Sequence, residues 1–207
     1  MSGTEDEWAA KQRICVRIVL TMKRRNFLRV PVVAALAPAN FLIGSAKGEI
    51  VQSDRKSVLV KAGDDRDSKP FKFLEATFQV KVSGKDNEGR CVVFDTIRPT
   101  KVGPPLHLHV DCDEWFFVRE GEFKFRAGDE TIDLKTGDSL LVPRNMPHAF
   151  VKTSEGVAGL IVMHQPAETM EEYFRTASQF VDQSFEGRQK FADQHGMRFV
   201  GPALTAE

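Results

Sequence analysis

Tyrosine, tryptophan and cysteine are scarce: one Tyr, two Trp and three Cys stand against sixteen Phe in 207 residues. Rings without a polar tip must therefore supply most of the aromatic surface, which suggests a core or cavity walled by phenylalanine. Neither sign of charge dominates, since 29 Lys and Arg balance 29 Asp and Glu. No basic stripe with interleaved aromatics occurs, which argues against a nucleic-acid partner. Long apolar runs are missing too. The Ala-rich stretch before Ala46 holds about fourteen residues and two prolines, Pro31 and Pro38, where a stable membrane helix needs about twenty residues. What remains is ordinary for a soluble globular protein, with 42% apolar and 28% charged residues. The length suits one domain with extra chain at its ends, not two full domains.

Charge is unevenly placed. Residues 1–46 hold seven bases (Lys11, Arg13, Arg17, Lys23, Arg24, Arg25, Arg29) and three acids, leaving 22 bases and 26 acids beyond, a net of −4. Within 22–46, three consecutive cations precede the apolar stretch and the small residues Gly44, Ser45 and Ala46, the order of a signal peptide cleaved near Ala46. The run from Lys23 to Arg29, KRRNFLR, resembles the twin-arginine export motif. That resemblance implies bacterial export of a folded protein to the periplasm or beyond. Met22 stands directly before the motif, and residues 1–21 look like neither a signal nor a domain, so translation is expected to start at Met22.

From Phe71 onward apolar residues recur in steps of two and turn residues interrupt every eight to twelve positions, the pattern of an all-β sandwich or barrel. Strands are expected at 73–82, 91–97, 106–110, 114–118, 122–126, 131–134, 139–142, 149–152 and 158–163. After Gln165 the period changes: Met170, Tyr173, Phe174, Ala177, Phe180 and Val181 recur at three and four, marking an amphipathic helix. A shorter helix from Phe185 ends at Gly196. The expected organisation is an extension with signal over 1–46, an arm over 47–70, a barrel over 71–165 and a helical tail over 166–207.

Chemistry concentrates in two stretches. In the first, His107 and His109 lie two apart on a strand and so present their imidazoles to one side. Glu114 has the wrong parity for the same straight strand, so the polar insert Val110–Asp113 must bend or bulge to bring its carboxylate round. In the second, a glycine turn at Gly137, a buried strand and a loop bracketed by Pro143 and Pro147 end in His148. Imidazoles with a carboxylate suit iron, manganese, nickel, copper or zinc. His195, beside a helix C-terminus, and His164, at a strand's end, read as structural.

The spacing H-x-H-x4-E-x6-G, then G-x5-P-x-N-x2-H, resembles the two motifs of the cupin superfamily, and EWFFVREGEFKFRAGDE is similar to small single-domain, quercetin-dioxygenase-like cupins. The resemblance spans about Phe71 to Gln165, and the tail HGMRFVGPAL fits it. It implies a double-stranded β-helix, or jelly roll, with His107, His109, Glu114 and His148 holding one divalent metal ion. Three positions depart from the pattern: three residues instead of five separate Gly103 from His107, Asn145 replaces a glycine, and Lys152 replaces an asparagine. Asn tolerates the left-handed conformation, so the turn at 145 should survive.

The expected activity is that of an exported, metal-dependent dioxygenase, iron or manganese favoured, acting on a small phenolic or enolisable molecule. Glu114 would also relay a proton. Phe116 shares parity with Glu114 and is expected at the substrate, with Phe94, Phe125, Phe150 and Met163 as further candidates, although each also reads as plain core. A periplasmic module that binds a small ligand or metal without turnover is the alternative. A sugar isomerase or epimerase ranks below it, because no further His or Tyr pair stands near the motifs. Trp115 and Phe117 face away from Glu114, so the C-terminal helix or a second subunit should cover them, and a homodimer is expected. Cys91 and Cys112 are expected as separate thiols, since no spacing argument brings them together.

Overall fold

In a computed structural model of the chain, residues 55–67, 69–179, 182 and 184–207 are described. The signal-like segment 22–46, the Met22 start and the helix positions Phe180 and Val181 lie outside them.

Strict alternation produces the strands. In β3 (Val92–Arg98) the side chains of Val92, Phe94, Thr96 and Arg98 are buried and those between are partly exposed. In β5 (Asp113–Glu120) Glu114, Phe116 and Val118 point inward. With β1 (Phe71–Phe73), β2 (Ala76–Val82), β8 (Ser139–Val142) and β10 (Ala158–Gln165) they form a six-stranded sheet in the order β1-β2-β3-β10-β5-β8. The second sheet runs β11-β4-β9-β6-β7, from β4 (Pro105–His109), β6 (Glu122–Ala127), β7 (Glu130–Lys135), β9 (His148–Lys152) and β11 (Met197–Ala203). The strand pairings are antiparallel. Chain crossings between the sheets, after β3, β4, β5, β7, β8, β9 and β10, wind the two around one interior.

That interior is largely phenylalanine. One cluster joins Phe116, Phe123, Phe125 and Phe150, with Phe116 and Phe125 centred 4.9 Å apart in an edge-to-face pair. Another joins Phe73, Phe78 and Phe94 to Phe174 of α1 (Met170–Thr176), each centred 5.1 Å from Phe174. Such pairs contribute about 0.5–1.5 kcal/mol each beyond the area they bury. The helix α1 therefore packs over inward-facing rings of β1, β2 and β3. It does not back Trp115 and Phe117, which lie half-buried on the other face of β5 and stack on each other at 6.0 Å.

Two further expectations are corrected and a third is resolved. The strand placed at 73–82 is two strands, β1 and β2, because Leu74 turns the chain with φ 51°. The tail is not wholly helical: after α2 (Phe185–Gln194) and Gly196, β11 pairs with β4 as an edge strand. Of the two alternatives for the insert after His109, bend or bulge, the chain takes the bend, as a crossover that carries Glu114 into the opposite sheet. Cys91 and Cys112 are free thiols, as expected. Burial pushes the Cys112 thiol up to about 12.

Before the barrel, the arm is tied down by polar contacts. Asp65 accepts hydrogen bonds from the Val80 amide at 2.7 Å and from Arg175 of α1 at 2.7 Å, and Arg66 forks onto Asp86. No helix among the described residues is long and apolar enough to cross a membrane.

Candidate metal centre

Three strands from both sheets deliver the four side chains. His107 and His109 share the buried face of β4, as their spacing requires, and His148 opens β9 directly across from His107. Glu114 enters from β5 in the other sheet. The loop before His148 is pinned from two sides. The Asn145 amide donates to the His109 carbonyl at 2.7 Å, and Arg144 bonds Asp113 through its amide and side chain. Asn145 has φ 65°, so asparagine does take the left-handed conformation there. Gly103 is required by contact instead: a Cβ at this position would stand 1.7 Å from the Phe150 carbonyl oxygen.

One candidate ligand atom from each of His107, His109, Glu114 and His148 falls within 4.8 Å of every other, and all four residues are buried. Donors bound to one ion at about 2.1 Å stand about 3 Å apart when adjacent and about 4 Å apart when opposite. Two of the separations are close to the adjacent value: Glu114 Oε2 lies 2.7 Å from His148 Nε2 and 3.1 Å from His109 Nε2.

Protonation strengthens the fit. His107 Nδ1 is 2.8 Å from the Pro105 carbonyl and His148 Nδ1 is 3.0 Å from the Met146 carbonyl. A carbonyl can only accept, so both Nδ1 atoms carry the hydrogen and each Nε2 offers a lone pair inward. In neutral His148 that lone pair would face a carboxylate oxygen at 2.7 Å, a repulsion that either a shared metal ion or a proton on Nε2 relieves. Buried His109 Nδ1 lacks a hydrogen-bond partner, and its Nε2 faces only Glu114 Oε2. The donor set therefore suits a divalent metal ion.

The electrostatics have the same sense. Burial pushes the His107 imidazole well below its ordinary range, helped by His148 and His109, so it stays a neutral donor. Burial lowers His109 as well, against the opposing pull of Glu114. For Glu114 burial acts upward, but the imidazoles of His164 and His109 outweigh it and hold the carboxyl well below the carboxylate range. His148 is raised despite burial, because Glu114 sits against it.

His164 is the residue that the sequence reading undervalued. It is outside the four-residue cluster, yet it is fully buried and its Nε2 stands 3.2 Å from Glu114 Oε1. It steadies the carboxylate oxygen that the other imidazoles do not approach. The signal was available: His164 shares inward parity with Leu160 and Val162 and lies opposite Glu114 in the β10–β5 register. His195 caps α2 and contacts Thr169 at 2.8 Å, away from the cluster.

A cavity of ≈ 280 Å³ opens beside the cluster, with His107 and Glu114 in its wall. Of the five proposed substrate contacts, Phe150 alone lines it. Phe94, Phe116 and Phe125 are fully buried in the ring clusters behind the wall. Met163 sits between the inward residues Val162 and His164, so its side chain faces the outer side of β10. The wall is instead built by Phe73, Phe78, Phe174, Phe191 and Phe199, with Tyr173, Arg98 and Arg188 as polar additions. No further His or Tyr pair was expected near the motifs, yet Tyr173 lines the cavity; burial raises its phenol, so it keeps its proton.

A barrel of two antiparallel sheets with a buried His and Glu cluster between them is an all-β cupin fold. Residues 93–164 match the family model described as "Cupin domain". A relative described as "Uncharacterized protein YdbB" of Bacillus subtilis is 43% identical over 68 residues, 31% of this chain and 57% of that protein, so the likeness spans little more than half of the relative. Among solved structures, KdgF from a Halomonas species is 16% identical with a TM-score of 0.43, covering 47% of this chain and 85% of that one. An RmlC-like cupin from Shewanella frigidimarina is 21% identical with a TM-score of 0.40, covering 47% and 81%.

Proposed function

We propose that the protein is a metal-dependent dioxygenase acting on a small organic molecule held in the cavity. The observation that carries this reading is the junction of a buried three-imidazole, one-carboxylate cluster with a cavity walled mainly by phenylalanine. His107, His109, Glu114 and His148 would hold the ion, which when bound supplies Lewis acidity and, if iron or manganese, one-electron chemistry toward dioxygen. The chain's own residues do the rest. His164 steadies one oxygen of Glu114, whose carboxylate stays ionised; the imidazoles that hold it so also weaken it as a base, so any proton it relays would rest on it only transiently. The phenyl wall excludes water from the reacting centre.

Oxygen uptake by protein loaded with iron or manganese, over a panel of phenols and enolisable ketones, tests it. Uptake that zinc-loaded protein does not support is expected; full metal loading with no uptake on any compound would favour the binding module. One observation favours a second reading, isomerisation: Tyr173 keeps a proton at the cavity wall. Incorporation of solvent deuterium into substrate without oxygen uptake would select it. Export rests on the KRRNFLR run alone. Periplasmic protein whose mature N-terminus lies near residue 47 would support it, and cytoplasmic protein starting at Met1 would refute it.

A further inference from the structure

Arg98 is the last inward-facing residue of β3, and its side chain is carried into the phenylalanine interior. Only 4% of it is exposed. Its Nη1 pairs with Glu75 Oε1 at 2.7 Å, and its guanidinium lies 4.6 Å from the Phe150 ring centre. Yet Nε is buried with no hydrogen-bond partner, as is the second carboxylate oxygen of Glu75, Oε2, and the Arg98 side chain lines the cavity. An unmade bond to a buried cation is costly, and a planar guanidinium fork matches a carboxylate. A second cation, exposed Arg188 of α2, also lines the cavity, whereas its one acidic lining residue, Glu114, is turned to the imidazoles.

We propose that Arg98 is an anion anchor, and that the ligand of this cavity is a small carboxylate with an apolar, ring-sized body. The body packs on Phe73, Phe78, Phe174 and Phe191, and the carboxylate completes the donors that Glu75 leaves free. A volume of ≈ 280 Å³ lies at the lower edge of small-molecule sites, which run from about 300 to 1,000 Å³, so one ring fits better than a fused system. This deepens the proposed function by naming its substrate class, but the anchor itself depends on Arg98 and not on the metal.

Zinc-loaded full chain, in which oxygen chemistry cannot interfere, is titrated calorimetrically with benzoate and phenylacetate and with the matching amides. A charge-assisted hydrogen bond contributes about 1.5–3 kcal/mol, so the acids should bind about tenfold tighter than the amides or better. The double variant Glu75→Gln with Arg98→Gln removes both buried charges together and should erase the preference, while Arg98→Lys, which keeps the charge but not the fork, should retain part of it. Equal binding of acid and amide to the wild type overturns the proposal. So does a preference that persists in the double variant, because the carboxylate would then sit on the metal or on Arg188. Repeating the titration after chelation separates the two readings: an Arg98-dependent preference without metal supports the anchor even if the metal reading fails.

Discussion

Replacing Gly103 by alanine tests how tightly the approach to the metal centre is built. The added Cβ would stand 1.7 Å from the Phe150 carbonyl oxygen, 2.8 Å from its carbon and 3.4 Å from Val151 Cα. These are backbone atoms of β9, so no side-chain rotation relieves the clash; either the 103 loop or the strand must move by more than an ångström. Phe150 lies two residues beyond His148 on that strand, and its ring lines the cavity. Overpacking of this kind costs about 1–3 kcal/mol. With about 2–4 °C of melting temperature per kcal/mol for a chain of this size, Gly103→Ala should melt about 2–12 °C lower. Metal affinity should fall with it, since His148 moves with β9. Differential scanning calorimetry and a metal-binding titration read both effects. An unchanged melting temperature with unchanged affinity would refute the claim that the loop and the ligand strand are in rigid contact.

Three more outcomes follow from the contacts described. His164→Ala should weaken metal binding by about 10–100-fold while leaving the four clustered side chains in place, with His164→Gln recovering part through its amide donor; equal affinity in all three proteins would remove His164 from the site. Phe116→Ala, at a fully buried ring between Phe125, Phe150 and His148, should cost about 3–5 kcal/mol in urea unfolding, and a loss below about 1 kcal/mol would contradict its place in the core. Asp65 is raised by burial but lowered more by the Val80 amide and Arg175, so its net shift is downward. A carboxyl lowered in the folded state stabilises above its unfolded pKa and loses that contribution as pH falls through the folded value. Asp65→Asn should therefore be less stable by about 1–3 kcal/mol at neutral pH, with the gap closing on acidification; a gap that does not change with pH would be the contrary result.

The barrel was legible because its strands alternate cleanly: Phe94 with Arg98, or Glu114 with Phe116 and Val118, announce an inner face two residues at a time. Parity paired His107 with His109 and showed that the chain must turn before Glu114, whereas the grouping of these three with His148 came from the resemblance to the cupin motifs. Less visible were features that parity does not encode. Leu74 breaks β1 from β2 with a left-handed backbone and without glycine or proline to mark it. β11 contains Gly201 and Pro202, poor strand residues that an edge position tolerates. The cavity wall was misassigned because inward parity separates core from surface but not core from cavity. Phe94, Phe116 and Phe125 point inward and meet other rings, whereas Phe73, Phe174, Phe191 and Phe199 reach the cavity from elements remote in sequence. Placing the end of β10 at Met163 instead of Gln165 hid His164, whose partner lies fifty residues away across a strand pair.

The most direct test of the account is elemental analysis of the purified protein beside its His148→Ala variant. Convergence of three imidazoles and one carboxylate on a single cation predicts close to one transition-metal ion per wild-type chain and a large loss of metal from the variant. A wild-type protein without bound transition metal, or a variant that keeps a full complement, would contradict it.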